Sequence, residues 1–260
     1  YQKFDDEFDF IFLLLNEDVK PSNLPYGQLI QVSNDISGIG LNTFDNSSYY
    51  GSAGKLKSVM HLTRRDFLRG GPSLHEIMHN WSNFAISTEG TYNGTDFFSF
   101  QPHWGFTGGN TKGQLGGFSQ STLVDNGSNS YSVEPFGANV NGGNSIPYNQ
   151  LELYLMGMTP INSVNQFDLF NDITSLEVTN SKYTFTANKV SYGPDELESL
   201  LGARSPSSSD SQKEFDLLLI VLTDNALTDN QWTSINDAAE WFSFKGADEL
   251  YFYNFWEATN

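Results

Sequence analysis

The sequence predicts an α+β fold, and three features of the chain indicate it. Apolar runs of strand length occupy residues 8–15 and 215–223, as in strands buried within a sheet. Residues 72–86 carry apolar side chains at three- and four-residue spacing, which predicts an amphipathic helix. Residues 88–147 are rich in Gly, Asn, Ser and Thr, which indicates a loop-rich region with short strands. This order of elements favours a mixed α+β arrangement of layers.

Two further strands are expected before the helix. Residues 26–32 form one candidate, and residues 55–62 alternate between apolar and polar positions, which predicts a half-exposed edge strand. The helix should begin near Pro72, because proline is tolerated in the first turn. Its apolar stripe should face the sheet and consists of Leu74, Ile77, Met78, Trp81 and Ala85.

The second half of the chain contains three more candidate helices, at residues 151–158, 195–201 and 229–242. The 260 residues suffice for one large domain or two tightly packed lobes. We therefore expect a single domain over residues 1–260. Its N-terminal subdomain should span about residues 1–87 and its loop-rich C-terminal subdomain about residues 88–260.

The composition excludes several classes of partner and ligand. A net charge of −18 disfavours nucleic acid and anionic lipid. No run approaches the roughly 20 apolar residues of a membrane-spanning helix, so we expect no membrane insertion. The sequence contains no cysteine, which excludes disulfides and thiolate ligands. Any zinc ion would therefore be bound by imidazole and carboxylate groups.

The segment His75-Glu76-Ile77-Met78-His79 has the pattern H-E-x-x-H. Residues four apart on a helix lie on one face, so both imidazoles can reach one metal ion. Glu76 is offset round the helix and can take a proton from a metal-bound water as general base. The pattern predicts a zinc site with His75 and His79 as ligands and Glu76 as the catalytic group. A surface helix with two solvated histidines is the alternative.

A catalytic zinc ion usually has a third protein ligand, and two residues are candidates. We favour His103, in Pro102-His103-Trp104, because imidazole is the commoner zinc ligand; the alternative is an ordinary, partly buried histidine. Glu152 is the other candidate, and it can instead be a helix N-terminal charge or a partner of a ligand. The remaining histidine, His61, is expected to face solvent on the edge strand.

A calcium site is a weaker expectation at Asp125–Ser130, where oxygen-bearing side chains recur. The segment lacks the length and the glutamate of an EF-hand loop. A polar turn is the stronger interpretation.

These residues resemble the zincin metallopeptidases, in which the H-E-x-x-H helix packs under a mixed sheet whose antiparallel edge strand borders the cleft. The resemblance implies a zincin-like fold with residues 55–62 as that edge strand. A wider set of segments is similar to a group of secreted bacterial proteins described as candidate zinc peptidases. These segments are Gly38-Ile39-Gly40, Tyr50-Gly51-Ser52-Ala53, Leu74-His75-Glu76, His103-Trp104 and Leu153-Tyr154-Leu155-Met156-Gly157.

The chain departs from two subgroups of zincins. Metzincins carry a glycine and a third histidine where this chain has Ser82 and Ala85. A thermolysin-like pattern requires an aspartate where Met156 follows Glu152. The third ligand and the subgroup therefore stay open.

The resemblance implies a monomeric zinc peptidase, secreted or at the cell surface, that acts on peptide or protein substrates. Peptide bonds would be hydrolysed by water bound to one catalytic Zn²⁺ and activated by Glu76. Two alternatives remain. One is an inactive zincin scaffold that serves as a binding or adhesion module, and the other is a zinc hydrolase with a non-peptide substrate.

Overall fold

The computed structural model describes residues 4–82, 85–92, 96–99, 102–248 and 250–260. Its strands are β1 (Phe10–Leu15), β2 (Gly27–Gln31), β3 (Ser33–Asn34), β4 (Phe44–Asp45), β5 (Ser58–Leu62), β6 (Glu89–Tyr92), β7 (Asp96–Ser99), β8 (Gly108–Gly109), β9 (Phe118–Ser119), β10 (Val124–Gly127), β11 (Ser130–Val133), β12 (Phe167–Val178), β13 (Tyr183–Tyr192) and β14 (Leu217–Leu222). Its α-helices are α1 (Phe67–Gly70), α2 (Ser73–Met78), α3 (Gln150–Met156), α4 (Pro194–Leu201), α5 (Asp229–Ser243) and α6 (Phe255–Thr259).

The first sheet has the strand order β14-β1-β5-β2. β1 pairs in parallel with both β14 and β5, whereas β2 pairs antiparallel with β5. The α+β class and the mixed sheet are thus confirmed.

The prediction of an edge strand at residues 55–62 is wrong. β5 lies inside the sheet, between β1 and β2, and β2 is the antiparallel edge strand. Ser58 faces the turn that follows α2, because its hydroxyl donates to the Asn80 side chain. Val59 and His61 are half-buried because they project from the opposite face. The alternation in the sequence reflects the two faces of the sheet and not a position at its edge.

One face of this sheet carries the main core. Phe12 of β1 packs edge-on against Phe242 of α5, with ring centroids 5.8 Å apart. Phe10 packs against Trp81, which follows α2, at 6.1 Å. The predicted apolar stripe of the helical segment is fully buried in this core, as expected. The sheet thus anchors α2 from below.

The end of the chain returns to the first sheet. β14 completes the sheet beside β1, and α5 packs on the same core as α2. Segments on both sides of residue 87 therefore share one sheet. β14 is half-buried and not fully buried as expected, because it forms the other edge.

A second, antiparallel sheet has the order β10-β11-β13-β12 and its own aromatic core. The segment of residues 102–118 lies between the two cores. Its Trp104 and Leu115 are buried in the first core, whereas Phe106 and Phe118 are buried in the second. Both cores therefore hold this segment against α2.

The helix predicted over residues 72–86 begins as expected but ends at Met78. The next N–H groups, of His79, Asn80 and Trp81, donate to carbonyl groups three residues back, which makes a tighter turn. Nε2 of Gln31 on β2 donates to the carbonyl oxygens of His79 and Asn80, at 3.2 and 2.9 Å. These hydrogen bonds from the sheet satisfy the carbonyl oxygens that would accept from the next turn if the helix were longer.

The helices expected in the second half are confirmed as α3, α4 and α5. α3 ends at Gly157, whose φ of 80° favours glycine. In the described part of the chain, no helix has both the length and the apolar character needed to cross a bilayer.

The start of α2 is held by Asn144, whose side chain is completely buried. Its Oδ1 accepts from the backbone N–H of Leu74 at 3.1 Å. Its Nδ2 donates to the carbonyl oxygens of Leu68 and Arg69 and to the hydroxyl of Ser73, at 3.1, 3.0 and 2.8 Å. One side chain therefore joins α1 to α2.

We expect Asn144→Ala to lower the free energy of unfolding by about 3 kcal/mol, because its buried partners lose their hydrogen bonds. Asn46 is a matched control: it is exposed, and its side chain makes no hydrogen bond among the described residues. Asn46→Ala should change stability by less than about 0.5 kcal/mol. Urea denaturation measures both variants, and equal losses would contradict the role of Asn144.

Candidate metal centre

Three histidines converge above the first sheet. One ligand nitrogen from each of His75, His79 and His103 lies within 4.8 Å of the other two. His75 belongs to α2, His79 follows its last residue, and His103 comes from the segment of residues 102–118. His75 and His79 are buried and His103 is half-buried. These three side chains are close enough to hold a metal ion.

The spacing of the first two rings agrees with metal coordination. The Nε2 atoms of His75 and His79 are 3.3 Å apart. Two nitrogen ligands of a tetrahedral zinc ion, at about 2.0–2.1 Å each, are separated by about 3.3–3.4 Å. The same distance fits a hydrogen bond between the two rings. The third ring, His103, gives a cation three nitrogen lone pairs to bind, whereas a hydrogen bond would join only two of the rings.

His75 is held in one tautomer by a backbone carbonyl. Its Nδ1–H donates to the carbonyl oxygen of Gln114 at 2.7 Å, which leaves the lone pair of Nε2 free for a metal. Burial lowers the pKa of His75 to about 4, an effect that this hydrogen bond opposes and nearby His103 reinforces. The ring is therefore neutral at pH 7, as a metal ligand must be.

The peptide group that joins His103 to Trp104 is held at both of its polar atoms. Its carbonyl oxygen accepts from the hydroxyl of Thr88 at 2.8 Å. The N–H of Trp104, the next residue, donates to the carbonyl oxygen of Leu115 at 2.8 Å. These bonds position a histidine that precedes β8 and lies outside any helix or strand.

Glu152 lies outside the three-histidine cluster and supports it. The side chain is completely buried. One oxygen accepts from the indole N–H of Trp104 and the N–H of Leu115, both at 2.9 Å. The other accepts from the N–H groups of Gln114 and Asn149, at 3.1 and 3.0 Å. Glu152 is thus a helix N-terminal charge, in a capping box with Asn149, and its links to the histidines run through Trp104 and Gln114.

The charge of Glu152 is set by two opposing effects. Burial raises the pKa of its carboxyl group above the ordinary value, and the four N–H donors oppose this rise without cancelling it. Each oxygen receives two N–H groups, an arrangement suited to the ionised carboxylate. Glu152 therefore joins two residues to the start of α3. One is Trp104, which follows His103 in the chain, and the other is Gln114, whose carbonyl oxygen accepts from His75.

Glu76 points into a cleft of about 640 Å³ beside His75. Burial raises the pKa of its carboxyl group to about 8. Gly27, at the start of β2, makes room for this group, because a Cβ atom there would lie 2.6 Å from Cγ of Glu76. The edge strand, the carboxyl group and the histidine cluster thus meet at one place.

His61 and the segment Asp125–Ser130 were the other sites considered from the sequence. His61 lies on β5, half-buried, and belongs to no metal-binding cluster among the described residues. Asp125–Ser130 spans the turn of the β10–β11 hairpin, where the Asp125 side chain accepts from the N–H of Gly127 at 2.8 Å. This contact favours the polar turn, and calcium binding remains a prediction.

Two contributors to the centre were not found from the sequence. Gln114 acts through its backbone carbonyl, which leaves no signature in the residue type. Gly27 had a signal, because a glycine inside a strand often marks a close approach by another group. Gly27 lies near the start of the strand predicted over residues 26–32, where a glycine is also common in the preceding turn.

Comparison with protein-family models, with curated proteins and with solved structures finds no match for this chain. A function can therefore be argued only from the residues and geometry of the centre.

We expect Glu152→Gln to weaken the binding of a divalent ion such as Co²⁺ by about 10- to 100-fold. The NH₂ group of glutamine would replace one oxygen and face two N–H donors that then lack an acceptor. This loss should also lower the free energy of unfolding by about 3 kcal/mol. Glu257→Gln is the control, because Glu257 makes the same capping contacts with Asn254 at the start of α6. Calorimetric titration with Co²⁺ checks this prediction. Unchanged affinity in a folded Glu152→Gln protein would contradict it.

Proposed function

We propose that this chain is a zinc-dependent peptidase. His75, His79 and His103 hold one zinc ion, and Glu76 is the general base. The observation that carries the proposal is the convergence of three imidazoles beside a buried carboxyl group that lines a cleft.

The donor set fits zinc. Three imidazole ligands are typical of catalytic zinc sites, which keep a fourth position for water or substrate, and the 3.3 Å between Nε2 of His75 and Nε2 of His79 fits tetrahedral spacing. When bound, zinc lowers the pKa of a water molecule and polarises the carbonyl group under attack. The lack of cysteine and the carbonyl-bound Nδ1 of His75 agree with this ligand set.

Glu76 supplies the proton chemistry. Its carboxylate accepts a proton from the attacking water and later donates it to the leaving amine. A pKa raised by burial suits both steps, because the group exchanges protons near neutral pH. A neighbouring dication favours the ionised form, which the first step requires.

The edge strand supports a peptide as substrate. β2 ends the sheet order, and its Gly27 and the preceding Tyr26 line the cleft with Glu76. An extended peptide can add to such an edge through backbone hydrogen bonds. A mixed sheet with an antiparallel edge strand beside the helix of the H-E-x-x-H segment also agrees with the zincin resemblance. The monomeric state and the extracellular location stay predictions of that resemblance.

Metal analysis tests the ligand set. We expect about one zinc per chain in protein purified without added metal or chelator, and loss of that zinc in His79→Ala and in His103→Ala. His61→Ala is the matched control, since His61 is the fourth histidine of the chain and lies outside the cluster. Zinc retained in His103→Ala would remove His103 from the ligand set. No zinc in the wild type would overturn the proposal.

Substitution of Glu76 separates metal binding from catalysis. Glu76→Gln should retain zinc, because the side chain is not a ligand, and lose at least about 100-fold in kcat on a peptide substrate. Elemental analysis and peptide hydrolysis measure the two properties. Full activity in Glu76→Gln would exclude its role as base. Zinc without peptide hydrolysis in the wild type would favour the binding module, and hydrolysis of esters alone would favour a non-peptide substrate.

A further inference from the structure

The cleft beside Glu76 extends well past the metal centre. Its walls are formed by Tyr26 and Gly27 at the edge strand, by α1 and the turn that follows it, by residues 140–143 and by Phe252. A substrate cleaved at the histidine cluster has to place the residues next to the cleaved bond in this space. The inference below rests on the proposed function.

Two arginines line this cleft, although the chain has only 13 lysine and arginine residues against 31 aspartate and glutamate residues. The guanidinium group of Arg64 is already neutralised by an ion pair with Asp66, which lines the same cleft. It also lies over the ring of Phe67, with Cζ 4.6 Å from the ring centroid. Arg64 therefore contributes little charge for a ligand.

Arg69 differs from Arg64 in its partners. Its guanidinium lies over the ring of Trp241, with Cζ 5.2 Å from the ring centroid. Within the described part of the chain, it has no carboxylate at ion-pair distance. Stacking fixes the plane of a guanidinium and leaves its N–H donors at the edge of that plane. Arg69 thus lines the cleft as a cation that contacts an aromatic ring and that no carboxylate among the described residues neutralises.

The surroundings of Arg69 strengthen its attraction for an anion. Phe67, Pro72, Val140 and Phe252 give the cleft apolar walls, and low-dielectric walls concentrate the field of a charge. Elsewhere the excess of acidic groups repels anions. Arg69 therefore makes the cleft locally favourable for a carboxylate.

We propose that Arg69 is a specificity-determining residue, which binds an aspartate or glutamate side chain of the peptide substrate next to the cleaved bond. A planar guanidinium can hold such a carboxylate through two parallel N–H···O bonds. The uncharged amide of asparagine or glutamine has a similar shape and cannot make this pair.

Matched peptides test the proposal. The peptides come in pairs that are identical except at one position, which is Asp in one peptide and Asn in the other. The pairs cover each position within three residues of the cleaved bond. At one position we expect the wild type to cleave the Asp peptide with a kcat/KM at least about tenfold above that of the Asn peptide. Arg69→Gln should abolish or invert the ratio, and Arg69→Lys should leave it intermediate, because lysine keeps the charge without the planar fork.

Arg65→Gln is the control, since Arg65 lies four residues before Arg69, pairs with Asp18 and does not line the cleft. It should keep the wild-type ratio. Because the measure is a ratio within one protein, a general loss of activity does not change it, and thermal unfolding shows whether each variant folds. A ratio near one at every position of the wild type, or a preference that survives Arg69→Gln, overturns the proposal.

A binding measurement separates this inference from the proposed function. Fluorescently labelled versions of the same peptides are titrated into the Glu76→Gln protein loaded with zinc. If no peptide is cleaved by the wild type but the Asp peptide binds at least about tenfold more tightly, the peptidase proposal fails and the role of Arg69 stands. If the protein cleaves and binds the Asp and Asn peptides equally well, the peptidase proposal stands and Arg69 is excluded as a determinant of specificity.

Discussion

The geometry of the candidate centre depends on the buried carboxylate of Glu152. Removing a charge from water costs several kcal/mol, and charge-assisted hydrogen bonds are needed to offset that cost. Glu152 obtains four of them, from Trp104, Gln114, Leu115 and Asn149. Three of these donors lie on the segment of residues 102–118, so the carboxylate fixes the course of that segment. The positions of two histidines follow from this contact, because His103 precedes Trp104 and His75 donates to the carbonyl of Gln114.

The helix that carries the other part of the centre is also held from outside. α2 spans only six residues, far fewer than the 12–15 or so at which isolated helices become even marginally stable in water. The side chain of Asn144 accepts a hydrogen bond from the first turn of the helix. The side chain of Gln31 donates to the carbonyl oxygens of His79 and Asn80, just past the end of the helix. The spacing of His75 and His79 is therefore a product of tertiary contacts. Helix propensity by itself would not maintain it.

The sequence predicted what depends on local pattern and missed what depends on distant contacts. The closeness of His75 and His79 follows from one helical turn, and His103 was favoured as their neighbour because imidazole is the commoner zinc ligand; the structure brings the three histidines together. The end of α2 was missed because Gln31, 48 and 49 residues before His79 and Asn80, donates to their carbonyl oxygens, which a longer helix would use. The edge strand was misplaced because alternation records two faces of a strand and carries no information about its neighbours. Strand order is fixed by pairing across the whole chain.

Burial acts on the two kinds of titratable group in the centre with opposite signs. It lowers the pKa of His75 to about 4 and raises that of Glu76 to about 8, so each group is favoured in its neutral form. Neutral imidazoles are ready to bind a cation without first losing protons. A dication among the three rings would then favour ionised Glu76, because opposite charges attract across a poorly solvated gap. In the proposed centre, the same desolvation would therefore make the charge of Glu76 depend on whether a metal ion is bound.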